Sequence, residues 1–263
     1  MLERSIPIQR RNDILAQLEQ NRFVRSSTLS RLLNASEATI RRDLAILEEE
    51  GLIERTHGGA MVSHRMQAEP AFSASKQNRL PEKEHIGAAA AQMVRSGETI
   101  FLNFGTTTTQ VARFLKQRDD LQDVTVVTNN ISVLQELQSN PAFQIICLGG
   151  YYRTHSQSFV GTMTVRAMEG ILAGQAFIGV DGVSPRYGCT TPVESDAEIS
   201  RQMIENTTGN VVLVADSSKW GVVSKFRVAP LQRIGRWITD AGLPGEANEI
   251  LEGAPVEIVL AGG

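Results

Sequence analysis

A run of small and hydroxyl-bearing residues in the second half of the chain has the composition of an anion-binding loop. The run is NFGTTTT, residues 103–109, and it follows an apolar segment. A glycine such as Gly105 lets the backbone approach a ligand, and hydroxyls beside the free amides of a helix start can hold an anion. Four threonines can also simply cap a helix, so this loop alone does not decide between the two roles.

A lysine after a later apolar segment would add positive charge to such a loop. Lys219 follows NVVLVADSS, and its ammonium group is a point charge suited to a phosphate. Taken alone, an exposed lysine near a turn is as often inert. Asn129, Gly150 and Asp181 also follow apolar segments. In open α/β sheets ligands bind beyond the carboxyl ends of the strands, so these positions are candidates for one site.

Other binding chemistries fit the chain poorly. Residues 103–109 lack the Gly-Lys-Ser/Thr ending of a Walker loop and the Gly-x-Gly-x-x-Gly pattern of dinucleotide-binding loops. The four histidines have no metal-ligand spacing with Cys147 or Cys189. Two cysteines do not make a disulfide framework, which agrees with a reducing cytoplasm. We therefore expect no metal, no cofactor and a cytoplasmic location.

Two adjacent arginines near the N-terminus have the setting of a nucleic-acid contact. They lie in SEATIRRDL, residues 36–44, where Ser36 can cap a helix. The inward stripe of that helix, at i, i+4 and i+7, is Ile40, Leu44 and Leu47. At 100° per residue Arg42 lies about 200° from Ile40, and Thr39 and Arg41 flank it. A DNA major groove admits such a helix, and arginines there reach guanine edges or phosphates.

Helical patterns and a hairpin surround this helix. The segment IQRRNDILAQLEQN predicts a first helix that ends at Asn21, with an apolar stripe of Ile8, Ile14, Leu15 and Leu18. The segment FVRSSTLSRLLNAS predicts a second, capped by Ser26 or Ser27, with Leu29, Leu32 and Leu33 inward. LIERTHGGAMV predicts a β-hairpin around Gly58-Gly59, with Arg55 and His57 near its tip. Together these elements predict a winged helix-turn-helix.

The rest of the chain predicts a larger α/β domain. Apolar strand patterns such as TIFLNF, VTVVTN and NVVLVAD alternate with helical patterns such as ISVLQELQ and DAEISRQMIEN. This alternation is typical of a mainly parallel sheet with helices on both faces. We predict a winged helix-turn-helix in residues 1–62, a linker in 63–80 and an α/β effector-sensing and oligomerisation domain in 81–263. Its first helix should begin at PEKEHIG and end just before Gly97.

Composition sets broad limits on function. The 263 residues carry a net charge of −3 and are 41% hydrophobic, as in an ordinary globular protein. Whole-chain charge would not reveal a nucleic-acid-binding protein, so the local placement of the arginines carries that inference. No apolar run approaches the roughly 20 residues that span a bilayer, and we expect no membrane partner. The start, MLERSIPIQRRND, lacks the apolar segment of a signal peptide.

The segment SEATIRRDLAILEEEGLIERTHGGA resembles the signature of the DeoR-type family of bacterial transcriptional regulators. The resemblance continues through residues 103–109, 127–129, 149–153, 179–182 and 215–219, and so covers nearly the whole chain. It implies a repressor of a carbohydrate-utilisation operon, with double-stranded operator DNA as a partner. The DNA contacts implied are Ser36, Thr39, Arg41, Arg42, Arg55 and His57. One recognition helix makes few base contacts, so we expect a homo-oligomer, a dimer or tetramer.

The resemblance also implies an effector domain similar in fold to ribose-5-phosphate isomerase. The ligand would be a phosphorylated sugar or polyol, cradled by the Gly-Thr-Thr loop. Its contacts would be Asn103, Gly105, Thr106, Thr107, Asn129, Gly150, Arg153, Asp181, Glu194 and Lys219. The family commonly has Asp where this chain has Asn103, and an amide can donate as well as accept hydrogen bonds.

An isomerase-like enzyme with a fused DNA-binding domain is the alternative interpretation. Asp181 or Glu194 would be its general base and Lys219 its phosphate contact. Such isomerases are expected to carry a second acidic residue soon after the Asp-Gly pair and a glycine-rich lysine loop. The sequence VDGVSPRYGCTTPVES has neither feature. We therefore expect a regulator that lacks catalysis.

Overall fold

The computed structural model describes residues 7–21, 23–50, 52–55, 58–62, 71–245, 247, 251 and 255–262. His57, predicted to contact DNA, lies outside these residues. The N-terminal helices are α1 (Pro7–Asn21), α2 (Ser26–Leu32) and α3 (Glu37–Glu49). The strands there are β1 (Phe23–Arg25), β2 (Ile53–Arg55) and β3 (Gly59–Val62). They form an antiparallel sheet in the order β1-β3-β2, the wing sheet, which includes the predicted hairpin.

The helical core follows the predicted stripes with two exceptions. Residues buried in it include Ile14, Leu18, Leu29, Ile40, Leu44 and Leu47. Ile8 is 64% exposed and Leu32 59% exposed, so the predictions that they face the core were wrong. Both lie within a turn of a helix end, where few neighbours are available to cover them. Neither Ser26 nor Ser27 caps α2; the helix begins at Ser26, and Arg25 is its N-cap.

A close approach of two strands explains the second glycine of the Gly58-Gly59 pair. A side chain at Gly59 would collide with the Val24 carbonyl oxygen of β1. The pairing of Arg25 with Gly59 therefore requires a residue with no Cβ. This contact fixes the third strand onto the hairpin and completes the wing sheet.

The larger part of the chain alternates strands and helices. Its strands are β4 (Thr99–Leu102), β5 (Val124–Thr128), β6 (Phe143–Cys147), β7 (Tyr151–Arg153), β8 (Ser158–Val160), β9 (Ala173–Ile178), β10 (Gly182–Ser184), β11 (Gly188–Thr191), β12 (Thr207–Val214), β13 (Phe226–Ala229), β14 (Arg236–Asp240) and β15 (Glu257–Ala261). Its helices are α4 (Phe72–Gln77), α5 (Leu80–Ala91), α6 (Thr106–Leu115), α7 (Ile131–Leu137), α8 (Thr162–Arg166) and α9 (Glu194–Glu205). Single 3-10 turns span Ser217–Lys219 and Leu231–Arg233.

Seven strands form one parallel sheet in the order β15-β14-β12-β9-β4-β5-β6. Alternate side chains of a strand face opposite sides of the sheet. On β4, Ile100 and Leu102 lie in one buried cluster with α5 and α6, and Phe101 lies in the other with α9. The predicted α/β class, a parallel sheet covered by helices on both faces, is confirmed.

Some elements differ from the sequence prediction. Helix α5 ends at Ala91, well before Gly97; the Met93 and Val94 amides then donate to the Ala90 and Ala91 carbonyls in a tighter turn, and Val94 is buried. Gly97, at φ +78°, serves a later turn in which Glu98 accepts a hydrogen bond from the Arg95 amide. The predicted linker, residues 63–80, contains helix α4. The hairpins β7–β8 and β10–β11 and the strands β13 and β15 were not predicted. Within the described residues, no helix is long and apolar enough to cross a membrane.

Candidate DNA-contacting face and ligand site

The first turn of α3 is fixed by hydroxyl groups. Ser36 Oγ accepts a hydrogen bond from the Thr39 amide at 3.2 Å, so Ser36 is the N-cap. The Ser36 and Thr39 hydroxyls also lie 2.8 Å apart in a hydrogen bond. A capped first turn presents the outer face of the helix in one orientation, as groove recognition requires.

Arg41 and Arg42 are both exposed on α3. Arg41 Nη2 lies 3.2 Å from Glu37 Oε2, in a solvated i,i+4 pair that contributes only about 0.3–0.5 kcal/mol. Such a weak pair does not prevent the guanidinium from turning to a phosphate. Arg42 has no hydrogen bond or ion pair to any described residue. Its guanidinium is therefore available to a partner outside the chain.

A buried ion pair that was not predicted from the sequence joins α3 to α1. Arg10 Nε on α1 donates to Asp43 Oδ2 at 2.6 Å, and the two side chains are 11% and 5% exposed. Asp43 directly follows the two exposed arginines but lies on the inner face. A carboxylate this deeply buried requires a partner, and Arg10 on the first helix provides it.

The base of the wing is joined to the end of α3. Arg55, the last residue of β2, is exposed, and its Nη1 atom lies 3.8 Å from Glu48 Oε2. The Arg55 amide donates to Glu48 Oε1 at 3.4 Å. Arg55 therefore lies at the wing, as predicted, and Glu48 links its position to that of α3.

The parallel sheet brings most of the predicted ligand residues to one edge. The strands β12, β9, β4 and β5 are neighbours and run in the same direction. Gly105 follows β4, Asn129 follows β5, Asp181 follows β9 and Lys219 follows β12. All four therefore lie beyond the carboxyl ends of adjacent strands, where open α/β sheets bind ligands.

The four threonines of the α6 loop divide into two pairs. Thr108 Oγ1 donates to the Asn103 carbonyl at 2.9 Å, and Thr109 Oγ1 donates to the Gly105 carbonyl at 2.8 Å. The hydroxyls of Thr106 and Thr107 make no hydrogen bond to a described residue. Gly105, at φ +125°, is the N-cap, so the first amides of α6 lack side-chain partners. The first pair shapes the loop, and the hydroxyls of the second pair have no such role within the described residues.

The side-chain amide of Asn103 is hydrogen-bonded to other residues of the protein. Asn103 is fully buried, and its Nδ2 donates to the Gly179 carbonyl and to Ser200 Oγ, both at 2.9 Å. Its Oδ1 accepts from the Gly179 amide at 2.8 Å. Asn103 thus holds together the ends of β4 and β9 and the body of α9. These bonds leave its side chain little capacity for a ligand.

Asn129 and Asn130 differ in whether all of their side-chain polar atoms are hydrogen-bonded within the protein. Asn130 caps α7 through Ser132 and donates to the Gly105 carbonyl at 3.2 Å. Asn129 Nδ2 donates to the Phe159 carbonyl at 2.9 Å, and its buried Oδ1 has no hydrogen-bond partner among the described residues. A buried acceptor without a partner is costly, so Asn129 is able to accept a hydrogen bond from a ligand hydroxyl.

The remaining predicted ligand residues lie in different surroundings. Arg153 Nη1 donates to the buried Asp196 Oδ2 at 2.7 Å and joins β7 to α9. A side chain at Gly150 would collide with Thr164 Oγ1. Asp181 Oδ2 accepts from Thr191 Oγ1 at 2.7 Å. Glu194 is exposed in the first turn of α9, and Lys219 is partly buried in a 3-10 turn.

A charged cluster beside Lys219 was also missed. Arg79, in the left-handed region at φ 55°, lies 2.9 Å from Asp240 Oδ2 and 3.5 Å from Asp216 Oδ1. Burial alone raises the pKa of Asp240, but hydrogen bonds from Ser217 and Gly242 and the Arg79 charge outweigh it and lower that pKa. Arg79 and Asp240 are 161 positions apart, so no local pattern could have paired them.

Lys83 adds an ammonium group to this cluster. Its Nζ donates to the Ser75 and Asn78 carbonyls at 2.5 and 2.7 Å, which holds the end of α4. Burial lowers the pKa of Lys83 to about 8, opposed by Asp216 and assisted by Lys219. Arg79 and Lys83 therefore both interact electrostatically with Asp216, which follows β12 at the carboxyl edge of the sheet.

Comparison with known proteins agrees with this architecture. Residues 10–66 match the family described as the DeoR-like helix-turn-helix domain, and residues 78–241 match the DeoR C terminal sensor domain. The chain is 32% identical over 256 residues to a putative aga operon transcriptional repressor of Escherichia coli O157:H7, covering 97% of this chain and 94% of that protein. It is 32% identical over 248 residues to the transcriptional repressor GlcR of Bacillus subtilis, covering 94% and 93%.

Among solved structures, ribose 5-phosphate isomerase A of Methanocaldococcus jannaschii overlaps 52% of this chain and 53% of its own, at 17% identity and a TM-score of 0.39. A similarity this low carries no argument about activity. The sequence relatives named above span nearly the whole chain and are named as regulators, so the regulator, and not the enzyme, is supported. From its helix-turn-helix and sensor domains, and from these full-length relatives, the chain belongs to the DeoR family of transcriptional regulators.

Proposed function

We propose that this protein represses a carbohydrate-utilisation operon and that a phosphorylated sugar or polyol changes its affinity for operator DNA. The proposal rests on two separate candidate binding surfaces in one chain. One is the capped helix α3 with the exposed Arg42. The other is the start of α6, where Thr106 and Thr107 lie beside free amides.

For DNA, the outer face of α3 would enter the major groove. Thr39, Arg41 and Arg42 would contact bases and phosphates, with Ser36 holding the first turn and Arg55 and His57 reaching the flanking backbone. The relatives named as repressors support an operator as the target. Binding that rests on phosphate contacts should weaken steeply as salt concentration rises.

For the effector, the start of α6 would hold the phosphate. The amides after Gly105 and the hydroxyls of Thr106 and Thr107 would bind its oxygens, and Lys219 would balance its charge. Asn129 would accept from a sugar hydroxyl. Further proposed contacts are Gly150, Arg153, Asp181 and Glu194. Asn103, whose amide is already engaged, would contribute by holding Gly179 beside the site.

The proposal includes a homo-oligomer, a dimer or tetramer, in the cytoplasm. One α3 helix presents few side chains to the bases, so two copies reading repeated half-sites would be needed for specificity. A ligand that binds the DNA-incompetent arrangement more tightly would act as an inducer, and one that prefers the competent arrangement would act as a co-repressor.

The test is fluorescence anisotropy with a labelled duplex from the promoter upstream of the protein's own gene. A panel of sugar and polyol phosphates is compared with the same compounds lacking phosphate. We expect salt-sensitive binding that one phosphorylated compound changes and its unphosphorylated form does not. DNA binding unaffected by every phosphorylated compound would contradict the effector half. Failure to bind any duplex at low salt would contradict the DNA half.

A further inference from the structure

The wing sheet is buried on both of its faces. Its first face carries Val24, Ile53 and Ala60, which lie in the core of the N-terminal helices. The second face carries Phe23, Glu54 and Met61, which are register neighbours across the three strands. Phe23 and Met61 belong to the same buried cluster as Val183 and Trp220 of the sensor domain. The second face is therefore the surface on which the two domains meet.

A buried hydrogen bond crosses this interface. Ser184, at the end of β10, donates from its Oγ to Glu54 Oε2 of β2 at 2.6 Å. Glu54 is 1% exposed and Ser184 is fully buried. Loss of this bond would leave a buried side chain with one hydrogen-bond partner fewer, which is costly. The bond therefore favours the one position of the wing sheet in which Glu54 lies against Ser184.

The tip of the β10–β11 hairpin reaches the recognition helix. Arg186 Nη1 donates to Glu48 Oε1 at 2.8 Å. Glu48 lies in the last turn of α3 and also accepts from the Arg55 amide of β2. A shift of the hairpin tip would consequently move α3 and the wing together.

The base of the same hairpin is built on the proposed effector contacts. Asp181 directly precedes β10, and its amide donates to the Thr190 carbonyl at 3.0 Å. The residue after Lys219, Trp220, forms a bridge with Val183, and the Gly221 amide donates to the Val183 carbonyl at 2.9 Å. At about 3.3 Å per residue, Asp181 lies only about 10 Å along the strand from Ser184.

We propose that the β10–β11 hairpin connects the proposed effector site to the N-terminal DNA-binding domain, so that a shift at one is transmitted to the other. The proposal rests on the proposed function, since it assigns the regulation of that same site. Effector contacts at Asp181 and Lys219 would shift the hairpin base, and the Ser184–Glu54 and Arg186–Glu48 contacts would transmit that shift to the wing and α3. Because thermodynamic coupling is reciprocal, DNA bound to the N-terminal domain must in turn change the hairpin.

The experiment measures the effect of bound DNA on the hairpin, so it needs no effector. The full-length protein first selects a tight-binding duplex from a random library. Hydrogen exchange by mass spectrometry then compares peptides covering residues 181–191 and 219–222 with and without that duplex. We expect the duplex to change exchange in both segments of the wild type.

Two variants test the route. Ser184→Ala removes the buried donor, and Arg186→Glu reverses the charge at the tip. We expect both to bind the duplex and to lose its effect on exchange in residues 181–191. The matched control is Arg236→Ala, which deletes an exposed pair with Glu257 inside the sensor domain and should behave as the wild type.

The conservative variant Arg186→Lys keeps a positive charge opposite Glu48 and should keep the effect, which separates coupling from general destabilisation. Unchanged exchange in the wild type on DNA binding would overturn the proposal, as would an unaltered effect in both single variants. The proposed function fails differently, through DNA affinity that no phosphorylated sugar alters. An intact exchange response with no active sugar phosphate would leave the hairpin link standing.

Discussion

The substitution Asn103→Asp should destabilise the sensor domain. In this chain Asn103 makes three buried hydrogen bonds, and two of them use its Nδ2 as the donor. An ionised carboxylate keeps the bond from the Gly179 amide but cannot donate to the Gly179 carbonyl. That carbonyl oxygen would then face a negative oxygen where it now has a donor at 2.9 Å.

The magnitude follows from these three bonds. An unsatisfied buried acceptor costs about 1–3 kcal/mol, and a buried charge lacking full compensation raises the total to about 3–5 kcal/mol. Ser200 Oγ offers partial relief by turning its proton toward the carboxylate. It would then lose its present bond to the Asp196 carbonyl, which has a length of 3.0 Å. We therefore expect a net loss of about 3 kcal/mol or more at pH 7.

The assay is urea unfolding of the full chain at pH 7 and pH 5. Burial raises the pKa of a carboxyl, and a protonated carboxyl can again donate to Gly179. The penalty should therefore shrink as pH falls through that raised pKa. Asn140→Asp is the control, because Asn140 also donates to a carbonyl, that of Lys116, but at an exposed site. Stability of Asn103→Asp within about 1 kcal/mol of the wild type at pH 7 would refute this reasoning.

Three further outcomes are expected. Arg42→Ala should lose about 1–3 kcal/mol of operator binding by anisotropy if it pairs with a guanine, whereas Arg113→Ala should not; full affinity would remove Arg42 from the interface. Lys219→Ala should blunt the sugar-phosphate response while unliganded DNA binding persists, and a normal response would exclude Lys219 from the site. Between pH 8 and 10.5 the native state has released a proton from Lys83 that the unfolded state retains. As pH increases over this range, the free energy of unfolding of the wild type should therefore increase relative to that of Lys83→Met, by at most about 1.4 kcal/mol per pH unit. Urea unfolding at several pH values measures this difference, and a difference that does not change with pH would contradict the lowered pKa.

The parts predictable from sequence are those that local chemistry determines. Ser36 as N-cap and the stripe from Ile40 to Leu47 depend on neighbours within one or two helical turns. The parallel sheet follows from β-branched segments long enough to be buried on both faces. Because parallel strands end at a common edge, the placement of the residues after β4, β5, β9 and β12 along one edge of the sheet followed as well. Leu32 shows the limit, since an apolar residue in the correct phase lies exposed near a helix end.

What could not be predicted depends on partners far away in the chain. The positions of Asn103 and Gly179 differ by 76, and those of Glu54 and Ser184 by 130. Periodicity places Glu54 on the second face of the wing sheet, but not against a serine of another domain. The hydrogen bonds of Asn103 could not be predicted for the same reason, because an amide at a strand end has the same sequence signature whether it binds a ligand or a neighbouring backbone.

The interface between the two domains has a strength suited to a switch. Burying an apolar side chain contributes about 1.5–3 kcal/mol, so Phe23 and Met61 together contribute a few kcal/mol. The exposed Arg186–Glu48 pair adds less than about 1 kcal/mol. Allosteric coupling energies are typically about 1–3 kcal/mol, and moving an equilibrium from 1:99 to 99:1 requires about 5.5 kcal/mol. With the buried Ser184–Glu54 hydrogen bond these contacts total several kcal/mol, comparable to the about 5.5 kcal/mol that moves such an equilibrium, so a ligand with a differential affinity of that order would bias the position of the N-terminal domain.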